Sequence, residues 1–392
     1  VKLKHNIPLF YIISSLMWFR FHVPILALFY IASQVSLDEF AIIMSVFSLV
    51  ILLFEIPSGV FADLVGKKKT LLLARFCYVL EIAGLAFFDG FYPFLIAKII
   101  SGLGVSLDSG TSSALRFETL KKMKREKDHK KISGNIFAIT NISMAFVFII
   151  GAYLFTLHYK YPVYLSLPFI VLGFFLTFFL TEPYPVKHRL TFKKATAHFV
   201  EGIAYFFRNT SLRILALYSV PLATVIAITL SLSSVYFEMI AIPLVFMGVI
   251  AFLGSICTAY TAKKADVLEK FFGEKKSMFV SSFAILLCMF GIIFLFPYYG
   301  LLFYFLLSLV SGFFSIIIDN YTNTRVTKKH RATMLSVRNM MDNVGVAGIF
   351  FITGAVIKAV SFSAAYMLLT GFIAVSFIAL HIVLAKRTRM FT

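Results

Sequence analysis

The sequence predicts an all-α polytopic membrane protein of twelve transmembrane helices in two pseudo-symmetric six-helix bundles, and three observations carry that prediction. The chain is 60% apolar and only 14% charged, where a soluble protein carries about 25% charge. Its apolar residues run on without alternation for about 20 positions at a time, the length that crosses a bilayer core. Its charges gather in the short gaps between those runs. A soluble enzyme, a disordered chain and a disulfide scaffold are excluded by the first observation, and a β-barrel by the second.

The first predicted span, 7–32, follows Lys2 and Lys4 and contains Arg20 and His22. It is too long for a signal-peptide core and no small-residue cleavage site follows it, so it is expected to be retained. The second span, 38–62, ends at a basic gap, 63–69, and the third, 70–88, carries Arg75 and Glu81. The fourth, 92–118, holds Lys98, Asp108 and Arg116 and runs into the most basic short gap, 119–131. Spans five and six, 132–157 and 162–181, are joined through a gap whose one basic residue is Lys160. After the longest break come 211–237, 242–262, 277–296, 299–325, 331–357 and 363–385, with basic gaps at 263–276 and 325–331.

Orientation follows from the same gaps. Those on one side, with both ends of the chain, hold thirty of the 37 Lys and Arg, and the opposite gaps hold only Lys160 and Lys358. Lys and Arg concentrate in cytoplasmic loops, so both termini are expected in the cytoplasm. That placement also explains the net charge of +19 without nucleic acid as a partner. Cys77, Cys257 and Cys288 lie far apart inside apolar runs, where neither a metal site nor a disulfide framework is expected.

The break at 182–213 divides the chain into six spans and six. Domains are therefore expected at 1–181 and 211–392, with a cytoplasmic linker at 182–210. Phe192, Ala195, Phe199, Ile203 and Phe206 recur there at spacings of three and four, the pattern of an amphipathic surface helix. The halves also echo each other. Ser101-Gly102 and Ser311-Gly312 are each followed by an acid and then an Arg at matching distances, and ADLVGKKK at 62–69 is echoed by ADVLEKFFGEKK at 265–276. Such repeats mark a transporter built from two related bundles.

The segment GVFADLVGKKKTLLL, 59–73, resembles the loop signature between helices 2 and 3 of the major facilitator superfamily. Gly59, Asp63, Gly66, Lys67 and Lys68 match it, with Lys for Arg at 67 and Leu64 in place of a basic residue. Lys98, Gly102 and Gly104 resemble the family's helix-4 signature, and SGTSSA at 109–114 resembles a segment of bacterial efflux-like members. The Gly-Pro signature of drug/proton antiporters is missing from span five. The resemblance implies a loop that gates the cytoplasmic side, with Asp63 paired to Arg116 or facing the start of span eleven near Arg331–Thr333. Gly59 is expected to allow a close helix approach and Gly66 a tight turn.

Charges within spans need partners or a water-filled cavity, since each costs about 2.5–3.5 kcal/mol at a helix centre on insertion scales. Counting about 1.5 Å per residue, Arg20, Asp108 and Glu81 lie roughly 20, 15 and 16 Å from the cytoplasmic end. Arg20 and Asp108, with His22, are expected as a substrate and proton site, and Glu81 as a further carboxyl. Glu55 with Arg75, and Asp319 with Arg338, fall nearer the cytoplasm as expected gate or bundle pairs. Asp342 follows Arg338 by one turn.

Taken with the resemblance, these readings lead to a secondary transporter in the bacterial inner membrane that works by rocker-switch alternating access. Proton-driven efflux of an amphipathic or drug-like compound is the first expectation, and a proton-coupled importer of a nutrient or organic anion held by Arg20 the alternative. A sensor or scaffold is the third class, disfavoured because no stretch is long enough for a soluble signalling domain. The expected partners are a small-molecule substrate, the proton and the lipid bilayer, in a monomer. No cofactor, metal or enzymatic site is expected, because no P-loop, Ser-His-Asp arrangement or metal cluster appears.

Overall fold

The computed structural model describes residues 2–184, 201, 203–294, 299–326 and 331–386. Among the described residues every predicted span is largely helical. The chain runs through α1 (Asn6–Leu16), α2 (Leu26–Ala32), α3 (Leu37–Val65), α4 (Lys67–Phe87), α5 (Phe91–Asp108), α6 (Thr111–Lys122), α7 (His129–Leu157) and α8 (Tyr161–Thr177). It continues through α9 (Thr210–Ser231), α10 (Ser233–Met239), α11 (Leu244–Phe272), α12 (Glu274–Phe294), α13 (Tyr299–Thr324), α14 (Arg331–Ala359) and α15 (Phe362–Lys386). Among the described residues ten helices are long and apolar enough to cross a membrane, and Val23–Ala32 and Tyr161–Thr177 are shorter apolar helices. These, with α1 ahead of Val23–Ala32, supply the twelve spans.

Three spans are interrupted where continuous helices were expected. The first breaks between Leu16 and Leu26, around Arg20, His22 and Pro24. Proline at the start of a turn cannot donate to the helix ladder, and the freed backbone finds other partners: Phe21 N donates to Ser166 Oγ of α8 at 2.9 Å. At this break α7 comes so close that a Cβ on Gly151 would lie 1.9 Å from the Phe21 carbonyl oxygen, so only glycine fits there. The fourth span is interrupted at Ser109-Gly110, with Gly110 at φ +70°, and the seventh at Leu232.

The described helices form two compact units. One comprises residues 1–36, 46–198 and 243–252, and the other 37–45, 199–242 and 253–392. In the first, α4 packs along α5 and α8, and Phe21, Val147 and Phe148 form a buried apolar cluster. In the second, α12 packs on α13 and α15, and α9 on α14. Of the expected amphipathic helix, Ile203 and Phe206 are helical, while Phe192, Ala195 and Phe199 lie outside the described residues.

Candidate functional site

The first unit gathers its intramembrane charges around one face of α4. Arg75, Tyr78 and Glu81 follow each other at three-residue intervals, so all three point the same way. Along α5 the series Lys98, Ser101, Val105 and Asp108 recurs at three and four, giving a second continuous stripe. The two stripes meet because α5 approaches α4 at Gly104, where a Cβ would lie 2.9 Å from the Tyr78 ring and 3.1 Å from the Ala74 carbonyl. Gly102 makes the same kind of approach to α3, 2.9 Å from Val50. The helix-4 signature glycines are thus packing residues that bring the charged stripes together.

Glu81 is the centre of this network. Its side chain is 0% exposed, and its two oxygens receive Arg20 Nη1 at 2.8 Å and Lys98 Nζ at 2.7 Å. Arg75 holds Asp108 with two nitrogens, at 2.7 and 3.0 Å, the fork-on-carboxylate geometry that Lys cannot offer. Ser112, just beyond the helix break, donates to Asp108 at 2.5 Å. The Tyr78 ring lies between the guanidinium groups of Arg20 and Arg75, 4.8 and 5.6 Å from its centroid. Cation–π contacts of this kind stabilise by ~0.5–2 kcal/mol. Three bases and two acids meet here, so the network keeps one positive charge in excess.

A cavity of about 260 Å³ opens onto the network, lined by Trp18, Arg20, Phe47, Arg75, Tyr78, Lys98, Ser101 and Asp108 among others. The break in the first span places Trp18 and Arg20 on this wall. His22 does not line it. It is buried with its ring against Phe29 at 5.8 Å.

The expected pairings are corrected in part. Arg20 and Asp108 do not pair; Arg20 takes Glu81, and Asp108 takes Arg75, because the interrupted first span turns Arg20 toward α4. Arg75 is therefore not the partner of Glu55, whose carboxylate receives Ser109 Oγ at 3.3 Å. Arg116 lies beside Arg75 and Ser112 rather than against Asp63. Asp63 is exposed on α3, and among the described residues no ion pair joins it to Arg116. Gly59 makes no close approach, since a Cβ there would meet nothing within 4 Å. The side chains of Arg331–Thr333, the other expected neighbours of Asp63, lie outside the described residues.

Gly66 turns the chain from α3 to α4 at φ +102°, a conformation that favours glycine. Lys67 pairs with Glu118 at 3.0 Å, and the backbone N–H groups of Lys67 and Lys68 donate to Glu182 at 3.3 and 2.7 Å. A carboxylate at a helix N-terminus satisfies donors that the helix leaves open. Asp319 and Arg338 pair at 2.5 Å, with Asp342 at 3.7 Å from the same guanidinium.

Sequence reasoning missed Trp18, Phe47, Tyr78, Ser101 and Ser112. The three-and-four spacing along α4 and α5 was the available signal for Tyr78 and Ser101. For Trp18 the signal was Pro24, which marks the break that leaves it on the cavity wall. It also missed that Lys160 is buried, where its ammonium reaches the Leu85 and Phe88 carbonyls and Asp89 at 2.7–2.8 Å and fastens the end of α4.

The family model of the Major Facilitator Superfamily matches residues 9–347 and 267–390. The MFS-type transporter YxaM of Bacillus subtilis (strain 168), itself uncharacterized, is 29% identical over 165 residues, a match covering 41% of this chain and 39% of that protein. The nucleoside transporter NupG superposes with a TM-score of 0.78 at 14% identity, over 97% of this chain and 98% of NupG. A D-xylose-proton symporter does so at 0.74 and 12%, over 95% and 96%. At such identities the solved structures share the fold.

Proposed function

The chain belongs to the major facilitator superfamily, and from that premise we propose that it carries a small organic anion across the membrane by alternating access. The anion would be held in the cavity of the first unit. One observation carries the reading: Arg20, Arg75 and Lys98 line a cavity in which Glu81 and Asp108 balance only two of the three charges. An anion entering it supplies the missing negative charge in a low-dielectric site, where electrostatic attraction is strong. Arg20 uses Nε on the Met17 carbonyl and Nη1 on Glu81, which leaves Nη2 for the solute. Lys98 donates one of its three protons to Glu81. Trp18, Phe47 and Tyr78 give the apolar part of the solute a wall to pack against. The domain division at 182–210, the gating role of the 59–69 loop and cytoplasmic termini belong to the same reading.

Proton-driven export of an amphipathic compound is a second reading, supported by the aromatic share of that wall. Flux into proteoliposomes separates the two. We expect labelled organic acids to exchange across the membrane, and Arg20→Gln to abolish that exchange. Flux of neutral or cationic amphipathic compounds, with organic acids inert, would decide for the second. Imposing a pH gradient of either sign then reads the direction of coupling.

A further inference from the structure

The second unit holds a charge cluster of opposite balance. Asp319 on α13 receives Arg338 Nη1 of α14 at 2.5 Å, while Asp342, one turn further along α14, is 3.7 Å from Arg338 Nε. Two carboxylates thus share one guanidinium. The neighbouring helix α9 closes the cluster. A Cβ on Gly345 would lie 2.5 Å from Thr224 Oγ1 and 2.6 Å from Val220 Cγ1, so α14 and α9 touch just beyond Asp342. Ser219, beside Val220, faces the Asp342 carboxyl. Ser219 and Thr224 are both 0% exposed, and Ser219 Oγ, Thr224 Oγ1 and Asp342 Oδ1 are buried with no hydrogen bond among the described residues.

Among the described residues no other charge competes for this carboxyl from the helices packed most closely on α14, which are α9, α13 and α15. On α9, Arg213 donates to Thr210 at the helix start and the Tyr218 hydroxyl pairs with Ser281. On α13 the one Asp, Glu, Lys or Arg is Asp319. Residues 362–383 of α15 contain none of these types. Their His381 lies against Phe279 and Phe377, and their Tyr366 against Phe362. Lys358 lies at the far end of α14.

We propose that Asp342 is the group that takes up and releases a proton in this chain. With both acids ionised, Asp319, which is half-exposed, Arg338 and Asp342 carry one net negative charge, and the buried oxygen Asp342 Oδ1 has Ser219 beside it without a hydrogen bond of ordinary length. Uptake of one proton forms an O–H bond on Asp342 and neutralises the cluster. The new hydroxyl donates to Ser219 Oγ. Arg338 keeps Asp319 in both states, so no buried cation is left alone. A metal ion would sit against the Arg338 guanidinium, which argues for a proton over a cation. The carboxyls of the first unit offer no such route. Protonating Glu81 strips two buried cations of their counter-ion, and protonating Asp108 strips Arg75.

The proposal takes from the transporter reading only the use to which the proton is put, and its test needs no solute. The full chain is reconstituted in liposomes, and infrared spectra are recorded in acid and alkaline buffer. Subtracting the Asp342→Asn difference spectrum from the wild-type one should leave one protonated-carboxyl carbonyl band that vanishes on alkalinisation. Glu126→Gln, which removes an exposed carboxyl with no part in the transport machinery, should leave that band in place. Asp342→Glu should shift it rather than remove it, and this variant serves alone if Asp342→Asn does not insert. A flat double-difference spectrum, or an Asp342→Glu spectrum identical to the wild type, overturns the proposal. If the band behaves as stated and no solute moves, the transporter reading fails and the proton site stands.

Discussion

The two charge clusters are built from the same residue types and differ in how they close. In the first unit Glu81 is fully buried between Arg20 and Lys98, and Asp108 is held by both arms of Arg75 and by Ser112. Each acid there has at least as many donors as it needs, and the excess charge is positive. In the second unit a single Arg338 serves Asp319 and Asp342, Asp342 Oδ1 goes without a donor, and the excess is negative. Removing an acid from the first cluster strands a buried cation, whereas removing Asp342 leaves the Arg338–Asp319 pair intact. A saturated network has one low-energy protonation state, while an unsaturated one has two within reach.

The largest difference between the clusters is expected for Glu81→Gln. It leaves Arg20 and Lys98 facing a neutral amide, and breaking a buried pair costs about 3–5 kcal/mol. Thermal unfolding in detergent, followed by the reaction of buried Cys77 and Cys288 with a thiol dye, should show a large fall in midpoint. A wild-type midpoint would mean that Glu81 does not hold the network together. Asp108→Asn should cost less, about 2 kcal/mol, because Asp108 is a quarter exposed and an amide oxygen still accepts from Arg75. In the same assay it should fall between wild type and Glu81→Gln, and a loss as large as that of Glu81→Gln would contradict the ranking.

That contrast was only partly legible in the sequence. The twelve spans were, because continuous apolar runs bounded by charge admit no other reading at this length. One pairing was legible too: Asp319 and Arg338, the acid and base that a count along the helix axis places near each other in the second half, are paired. In the first half several charges share a level, and the direction each faces around its helix decides the partners. Arg20 turned away from Asp108 because its span is interrupted, and the interruption depends on Pro24 and on Gly151 of α7 letting the chain pass. Such a contact between distant segments leaves no trace in either segment alone. The Arg75, Tyr78, Glu81 spacing was readable and would have placed both acids' partners around α4. The open space at Gly59 could not be read, as a glycine that permits contact and one that meets nothing look alike.

Asp342→Asn probes the second cluster. It should change stability by less than about 1 kcal/mol, since it relieves an unbalanced charge and strands none. A midpoint as low as that of Glu81→Gln would make the two clusters equivalent. The smallest effect on stability is expected for Asp63→Asn, whose carboxylate is exposed. Its effect should appear in the conformational equilibrium instead. Single cysteines on the two membrane faces should report a shift toward inward-facing states, and an unaltered labelling pattern removes Asp63 from the gate.

In the proposed function the positive excess of the first unit selects the solute. That selection is tested most directly by thermal stabilisation of the purified chain with matched sets of organic acids, neutral analogues and amines. Midpoints should rise with acids alone, and Arg20→Gln and Lys98→Gln should each remove the rise while the proteins remain folded. Stabilisation by neutral or cationic members equal to that by the acids, or a rise that survives in both variants, would contradict it.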